Sequence, residues 1–177
     1  MDIFCQLNQA AAQGDLHFLV IGGHAVIHHG YARATQDVDI LIQKEERDRW
    51  LETLSAFGYK LFHDGGTFLQ LEASSPDAWD LDLMLVNAET FRKFLAEAET
   101  DAIEGVAVSM PNLKHLLALK FHALRHAKSD RVLKDTDDVV NLVRINGVDV
   151  KADWFRQLAG KYGSSELYEA IARRCER

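Results

Sequence analysis

Apolar positions in the first half of the chain recur at two different spacings, so short strands and helices alternate there. Ile3, Leu7, Ala10 and Ala11 recur at helical spacing and predict a helix over Met1–Ala12, with Asp2 as its cap. The continuous run from His17 to Ile21 predicts a strand, and His24–Gly30 a short helix closed by Gly30. Asp37–Ile42 alternates and predicts a second strand. Glu45–Phe57 turns Trp50, Leu51, Leu54 and Phe57 to one side, as an amphipathic helix does, and Gly58 stops it. Tyr59–Phe62 and Thr67–Leu71 flank His63-Asp64-Gly65-Gly66 and predict a hairpin. Ala78–Val86 predicts a strong strand, Asn87 or Thr90 opens a helix to Ala98, and Val106–Ser109 is a last short strand. From Pro111 the pattern is helical throughout, over Asn112–Ala127, Lys134–Ile145, Asp153–Tyr162 and Ser165–Arg173. An α/β portion over residues 1–109 followed by a helical portion over 110–177 is the expected division.

Composition narrows this. With 177 residues and 47% hydrophobic content, the chain suits one core, or one core with a small helical lobe. A net charge of −7 argues against a general nucleic-acid coat protein or a processive polymerase, both of which need broad basic surface. Cys5 and Cys175 lie at opposite ends, with neither metal-ligand spacing nor a disulfide framework, so a reduced cytoplasmic setting is expected. The first residues lack a charged-then-apolar signal pattern and no apolar run reaches membrane-spanning length, so no membrane association is expected.

Candidate chemistry gathers in one stretch. Side chains alternate along a strand, so Asp37 and Asp39 share a face while Val38 and Ile40 point to a core. Two adjacent carboxylates repel each other, and an oxygen-only pair suits Mg²⁺. Phe18-Leu19-Val20-Ile21 runs into Gly22-Gly23, a turn whose backbone N–H groups suit phosphate. Taken singly, these are a solvated strand edge and a tight turn; together they point to nucleotide chemistry. A third carboxylate is available in Asp80-Leu81-Asp82-Leu83-Met84-Leu85-Val86, where Asp80 and Asp82 share the polar face. Alternation alone leaves the choice between them open.

Hydrophobic-Gly-Gly, then a spacer from His24 to Gln36, then Asp37-Val38-Asp39-Ile40 resembles the signature of the nucleotidyltransferases related to DNA polymerase β. Gly22-Gly23-His24-Ala25 with Gly30-Tyr31-Ala32-Arg33-Ala34-Thr35 looks most like the small prokaryotic branch, which includes the nucleotidyltransferase toxins of type IV toxin–antitoxin systems. The resemblance implies an α+β, polymerase-β-like fold: a mixed sheet with flanking helices and a C-terminal helical lobe. It implies an Mg²⁺-dependent transfer of a nucleoside monophosphate from an NTP to an acceptor hydroxyl. Two Mg²⁺ ions, replaceable by Mn²⁺, are expected on Asp37, Asp39 and Asp82. Asp82 is preferred to Asp80 because Leu81-Asp82-Leu83-Met84 matches the family's third-acid strand. Gly22, Gly23, Arg33 and Thr35 are the expected nucleotide contacts. A tRNA 3′ end, a partner protein or a small molecule such as an antibiotic are the implied acceptors, and an antitoxin is an implied partner. A catalytically silent nucleotide-binding regulator of the same fold is the competing reading.

The resemblance continues loosely through Leu117-Ala118-Leu119-Lys120 and Lys134-Asp135-Thr136-Asp137-Asp138. Lys120 falls on an apolar stripe of Leu113, Leu116, Leu117, Leu124 and Ala127, so it either snorkels to the edge or meets an anion. A triphosphate is one such anion, which makes Lys120 a nucleotide-binding candidate. Asp135 and Asp138 share a helix face and are candidate ion-pair partners for Lys120, Arg125 or Lys134. On either the packing or the triphosphate account, Lys120→Met is expected to keep its stability. Lys114, Lys120, Arg125, Lys128, Arg131 and Lys134, with Asp130 the only acid among them, form a basic run suited to triphosphate, an RNA end or an acidic partner. His24 and His28 are one helical turn apart, but no third soft ligand follows, so zinc is not expected.

Overall fold

A computed structural model describes residues 3–76, 78–126 and 129–176. Asp2, Ala127 and Lys128 lie outside the described residues, as do the side chains of Asp130 and Arg131. The chain divides into two compact units: Met1–Ala25 with Arg33–Asn112, and Val26–Ala32 with Leu113–Arg177.

In the first unit, α1 (Ile3–Gly14) leads into β1 (Phe18–Val20). Next come α2 (Gly22–His28), of which Gly22–Ala25 belong to this unit and the rest to the second, then β2 (Asp37–Gln43), a 3₁₀ turn (Lys44–Glu46) and α3 (Arg47–Ala56). The hairpin of β3 (Tyr59–Asp64) and β4 (Phe68–Ala73) follows, then β5 (Asp80–Val86), α4 (Ala88–Ala96), β6 (Glu99–Ile103) and β7 (Val106–Met110). Five strands form one mixed sheet in the order β1-β2-β5-β4-β3, and β6 and β7 pair separately. Strand β2 runs parallel to β5 and antiparallel to β1, while β4 runs antiparallel to both β5 and β3. The parallel pair sits in the middle of the sheet, and its strands carry the apolar runs such burial needs: Val38, Ile40, Leu41, Ile42, Leu81 and Leu83 have no solvent exposure. Trp50 and Leu54 of α3 and Phe91 of α4 complete this core.

Local chemistry sets several boundaries. The Asn87 side chain accepts from the Thr90 backbone N–H at 2.8 Å and so caps α4. Gly58, at φ +89, follows α3 in a conformation that a side chain would resist. The second unit holds α5 (Leu113–His126), α6 (Ser129–Ile145), α7 (Asp153–Tyr162) and α8 (Ser165–Cys175). Ser164 caps α8 by accepting from Leu167 N–H at 3.2 Å. Its core includes Leu117, Phe121, Val139, Leu142, Phe155 and Ile171.

The α+β architecture with a mixed sheet and flanking helices matches the expectation. Several elements differ from it in extent: β3 runs on through His63-Asp64 of the expected turn, and β5 starts at Asp80 rather than Ala78. Strand β6 was not expected: Glu99, Thr100, Asp101 and Ala102 are exposed, so no apolar period marks it, and it pairs antiparallel with β7. Helix α6 starts at Ser129 rather than Lys134, and Leu133 within its first turns is 73% exposed, which blurred the apolar pattern. Helix α2 starts at Gly22, inside the turn rather than after it.

Candidate functional site

The register of the central parallel pair brings acids together. Asp37 lies opposite Asp80, and Asp39 opposite Asp82. Of these, Asp37, Asp39 and Asp82 each offer a carboxylate oxygen within 4.8 Å of the others. Asp82 is buried, at 5% exposed, whereas Asp80 is exposed and accepts from the Ala73 backbone N–H at 3.1 Å. Alternation put both acids on one face; the β4–β5 connection takes up Asp80 and leaves Asp82 in the cluster.

Neighbouring strands and loops fix these carboxylates. The Thr35 hydroxyl donates to Asp37 Oδ1 at 3.2 Å. The Gln70 amide, opposite Asp82 in the β4–β5 register, donates to Asp82 Oδ1 at 3.4 Å. Gln70 was not picked out from the sequence, although a lone polar residue inside Phe68-Leu69-Gln70-Leu71 was a signal that it faces other polar groups.

The glycines belong to the same site. Ile21 N–H donates to Asp39 C=O at 2.9 Å, which draws the end of β1 against β2. Gly22 sits at φ +60, and a Cβ there would lie 1.8 Å from Asp39 Oδ2. A Cβ on Gly23 would lie 2.3 Å from Thr35 Oγ1 and 3.3 Å from Arg33 Nη1. Arg33, Thr35 and Asp39 therefore occupy the space that side chains at Gly22 and Gly23 would need. Arg33 also donates to Ala34 C=O at 2.9 Å.

His24 comes next on α2. Burial pushes its pKa down; Asp37 pulls it up less strongly, and Arg33 adds to the lowering. The neutral imidazole is therefore the favoured form near neutral pH.

Lys120 belongs to the second unit. It is buried, with Nζ 2.7 Å from Asp135 Oδ1 and 2.7 Å from Asp138 Oδ2. Burial alone would lower its pKa, but the two carboxylates outweigh burial and hold the ammonium above its ordinary value. Of the two outcomes the apolar stripe left open, Lys120 meets anions, and they belong to its own unit.

The donor set of the acidic cluster fits a hard divalent cation. It is oxygen-only and partly buried, and three like charges are gathered where even a full positive charge from Arg33 would leave a net negative charge. Among the described residues, no helix is long and apolar enough to cross a membrane.

No protein-family model matches the chain, and no curated protein matches it. Solved structures do. ANT(2'')-Ia in complex with adenylyl-2''-tobramycin superposes with a TM-score of 0.62 at 14% identity, over 97% of this chain and 96% of that one. A nucleotidyltransferase-like protein from Paracoccidioides brasiliensis gives 0.59 at 14% identity, over 98% and 90%. The lincosamide antibiotic adenylyltransferase LnuA, lincomycin-bound, gives 0.57 at 18% identity, over 81% and 95%. The chain has the nucleotidyltransferase fold. Within that fold, the acidic cluster lies on adjacent central strands beside the Gly22-Gly23 turn.

Proposed function

We propose that the protein is a nucleotidyltransferase that moves a nucleoside monophosphate from an NTP to the hydroxyl of a small molecule. The acceptor oxygen attacks the α-phosphorus, the bond from the α-phosphorus to the bridging oxygen breaks, and pyrophosphate leaves with its electron pair. The observation that carries this reading is the convergence of Asp37, Asp39 and Asp82 beside a glycine turn that Asp39 itself packs against.

Asp37, Asp39 and Asp82 would hold two divalent ions, Mg²⁺ by preference, which when bound neutralise charge on the phosphates and make the acceptor hydroxyl more acidic. Asp82 is the residue best placed to take the acceptor's proton, since Gln70 fixes its carboxylate on the central strand. Thr35 holds Asp37 in place. The Gly22-Gly23 backbone and the Arg33 guanidinium offer donors to the phosphates. Lys120 is assigned to structure rather than to the nucleotide, because Asp135 and Asp138 already compensate its charge.

Two observations favour a small acceptor. The net charge of −7 is a poor match for a polynucleotide, and two of the structures of the same fold carry adenylyl-2''-tobramycin or lincomycin. Neither observation supports the toxin–antitoxin role that the sequence motif suggested.

The test is transfer of α-labelled ATP, GTP, CTP and UTP, with Mg²⁺ or Mn²⁺, to three acceptor pools: aminoglycosides and lincosamides, total tRNA, and soluble protein. Label on a small molecule, with pyrophosphate released, supports the proposal. Label on tRNA or protein moves the acceptor to that class. Tight nucleotide binding with no pyrophosphate from any pool would leave the silent-regulator reading in its place.

A further inference from the structure

Three aromatic rings stand in a row beside the acidic cluster. His24 follows the Gly22-Gly23 turn directly. Phe4 of α1 meets the imidazole edge-on, with centroids 5.2 Å apart and planes at 84°. Trp79 lies over the imidazole face, at 5.4 Å and 29°. Between them, His24 Nε2 is buried and has no hydrogen-bond partner. A purely structural wedge at this position would be apolar, since a buried ring nitrogen without a partner costs its full desolvation.

Trp79 is the unusual member. It is 37% exposed although it is the largest side-chain type, and its backbone is tied at its own carbonyl and at the next residue. Its carbonyl accepts from the Tyr59 hydroxyl at 3.1 Å, and the next residue, Asp80, starts β5 and is tied to Ala73. One indole face is therefore backed by His24, and part of the ring is presented to solvent. The location is specific as well. Trp79 precedes the residue paired with Asp37, while His24 adjoins the turn assigned to phosphate.

We propose that the Trp79 indole, backed by His24, is the shelf on which the base of the nucleoside triphosphate stacks. The proposal rests on the nucleotidyl-transfer reading and adds the part of the nucleotide that the chain recognises. A base offers a π-face to an indole, whereas a saturated, sugar-like acceptor does not. Stacking tolerates every base because every base has such a face, so the shelf provides affinity with weak base selection, purines above pyrimidines.

Calorimetry in Mg²⁺ decides it, with ATP, CTP and ribose 5′-triphosphate as probes of wild type, Trp79→Ala and Trp79→Phe. Wild type should bind ATP at least about fivefold more tightly than the base-free triphosphate. Trp79→Ala should erase that advantage while holding ribose triphosphate within about twofold, and Trp79→Phe should keep most of it. A thermal melt of each variant separates lost binding from lost folding, and Trp79→Phe carries the test if the alanine variant melts early. An equal loss for ATP and ribose triphosphate, unchanged ATP affinity in Trp79→Ala, or an effect confined to the acceptor KM would overturn the shelf. If wild type binds neither triphosphate with Mg²⁺ or Mn²⁺, the nucleotide reading itself falls, a result distinct from failure of the shelf alone.

Discussion

The two units each gather buried or half-buried carboxylates, and they differ in where the compensating charge comes from. In the second unit Asp135 and Asp138 close on Lys120, each at 2.7 Å, and Asp138 has no solvent exposure. That cluster is largely balanced by its own chain. In the first unit Asp37, Asp39 and Asp82 lie within 4.8 Å of each other, and the donors at Asp37 and Asp82 described above are a neutral hydroxyl and a neutral amide. The Lys120 cluster is an arrangement a fold uses to hold helices; the Asp37, Asp39 and Asp82 cluster gathers three carboxylates on adjacent strands, which is the oxygen-only donor set a divalent cation takes.

The largest expected effect is on the balanced cluster. Asp138→Ala leaves Lys120 buried with one carboxylate and should cost about 3–5 kcal/mol of folding stability, measured by urea denaturation. The triple change Lys120→Met, Asp135→Leu, Asp138→Leu should recover most of that loss, since an apolar set of similar volume needs no compensation. Lys120→Met alone reverses the expectation drawn from the apolar stripe: it strands two carboxylates in a buried setting and should destabilise. A cost below about 1 kcal/mol for Asp138→Ala would erase the contrast between the clusters.

On the other cluster the expected effect falls on chemistry. Asp39→Asn should lower nucleotidyl transfer by at least about a hundredfold, because an ion that acts in the transition state is lost. The same change removes one of three like charges, so the metal-free melting temperature should stay level or rise. Pyrophosphate release and a thermal melt in chelator check the two halves. A clear loss of metal-free stability would mean that these acids, like Asp135 and Asp138, are structural partners.

Most of the acidic site was legible because a strand has a strict period of two. Asp37 and Asp39 had to share a face, and pairing β2 with β5 had to bring one of the β5 acids to them. Which acid was a matter of tertiary detail: Ala73 N–H on β4 engages Asp80, and Gln70 engages Asp82. Sequence can show that Lys120 on an apolar stripe must either snorkel to the edge or meet an anion, but not which of the two it does. It named Asp135 and Asp138 only as candidates, since their approach depends on how α5 meets α6. Trp79 and His24 were harder still. Their stacking joins a loop to a helix start, and no periodic pattern relates the two. Strand β6 was invisible for the opposite reason: four of its five residues are exposed, so no apolar period marks the strand that pairs with β7.

A smaller effect distinguishes the clusters without mutating either unit's core. Each Mg²⁺ ion bound at about ten times its dissociation constant should add about 1.4 kcal/mol of stability to the wild type through binding to the folded state alone. Asp39→Asn should lose that increment, while the triple variant at Lys120, Asp135 and Asp138 should retain it. A thermal shift series in Mg²⁺ and in chelator reads all three. Equal shifts in wild type and Asp39→Asn would move the cation away from the acidic cluster.

The smallest expected effect is at alkaline pH, and it belongs to the second unit. The ammonium of Lys120 is held above its ordinary value near 10.5 by Asp135 and Asp138, against the opposing pull of burial. The folded state therefore holds this proton more tightly than the unfolded chain does. The stability it provides is complete below the unfolded value and is lost as pH rises through the folded one. Denaturation midpoints from about pH 9 to about pH 12 should fall more steeply for the wild type than for the triple variant, which has no lysine at that position. The other lysines and tyrosines titrate in both proteins, so the difference between the curves isolates Lys120. Curves that run parallel across the range would show that the Lys120 proton is held no more tightly in the folded chain than in the unfolded one, and the second cluster would then lose the internal balance that sets it apart from the first.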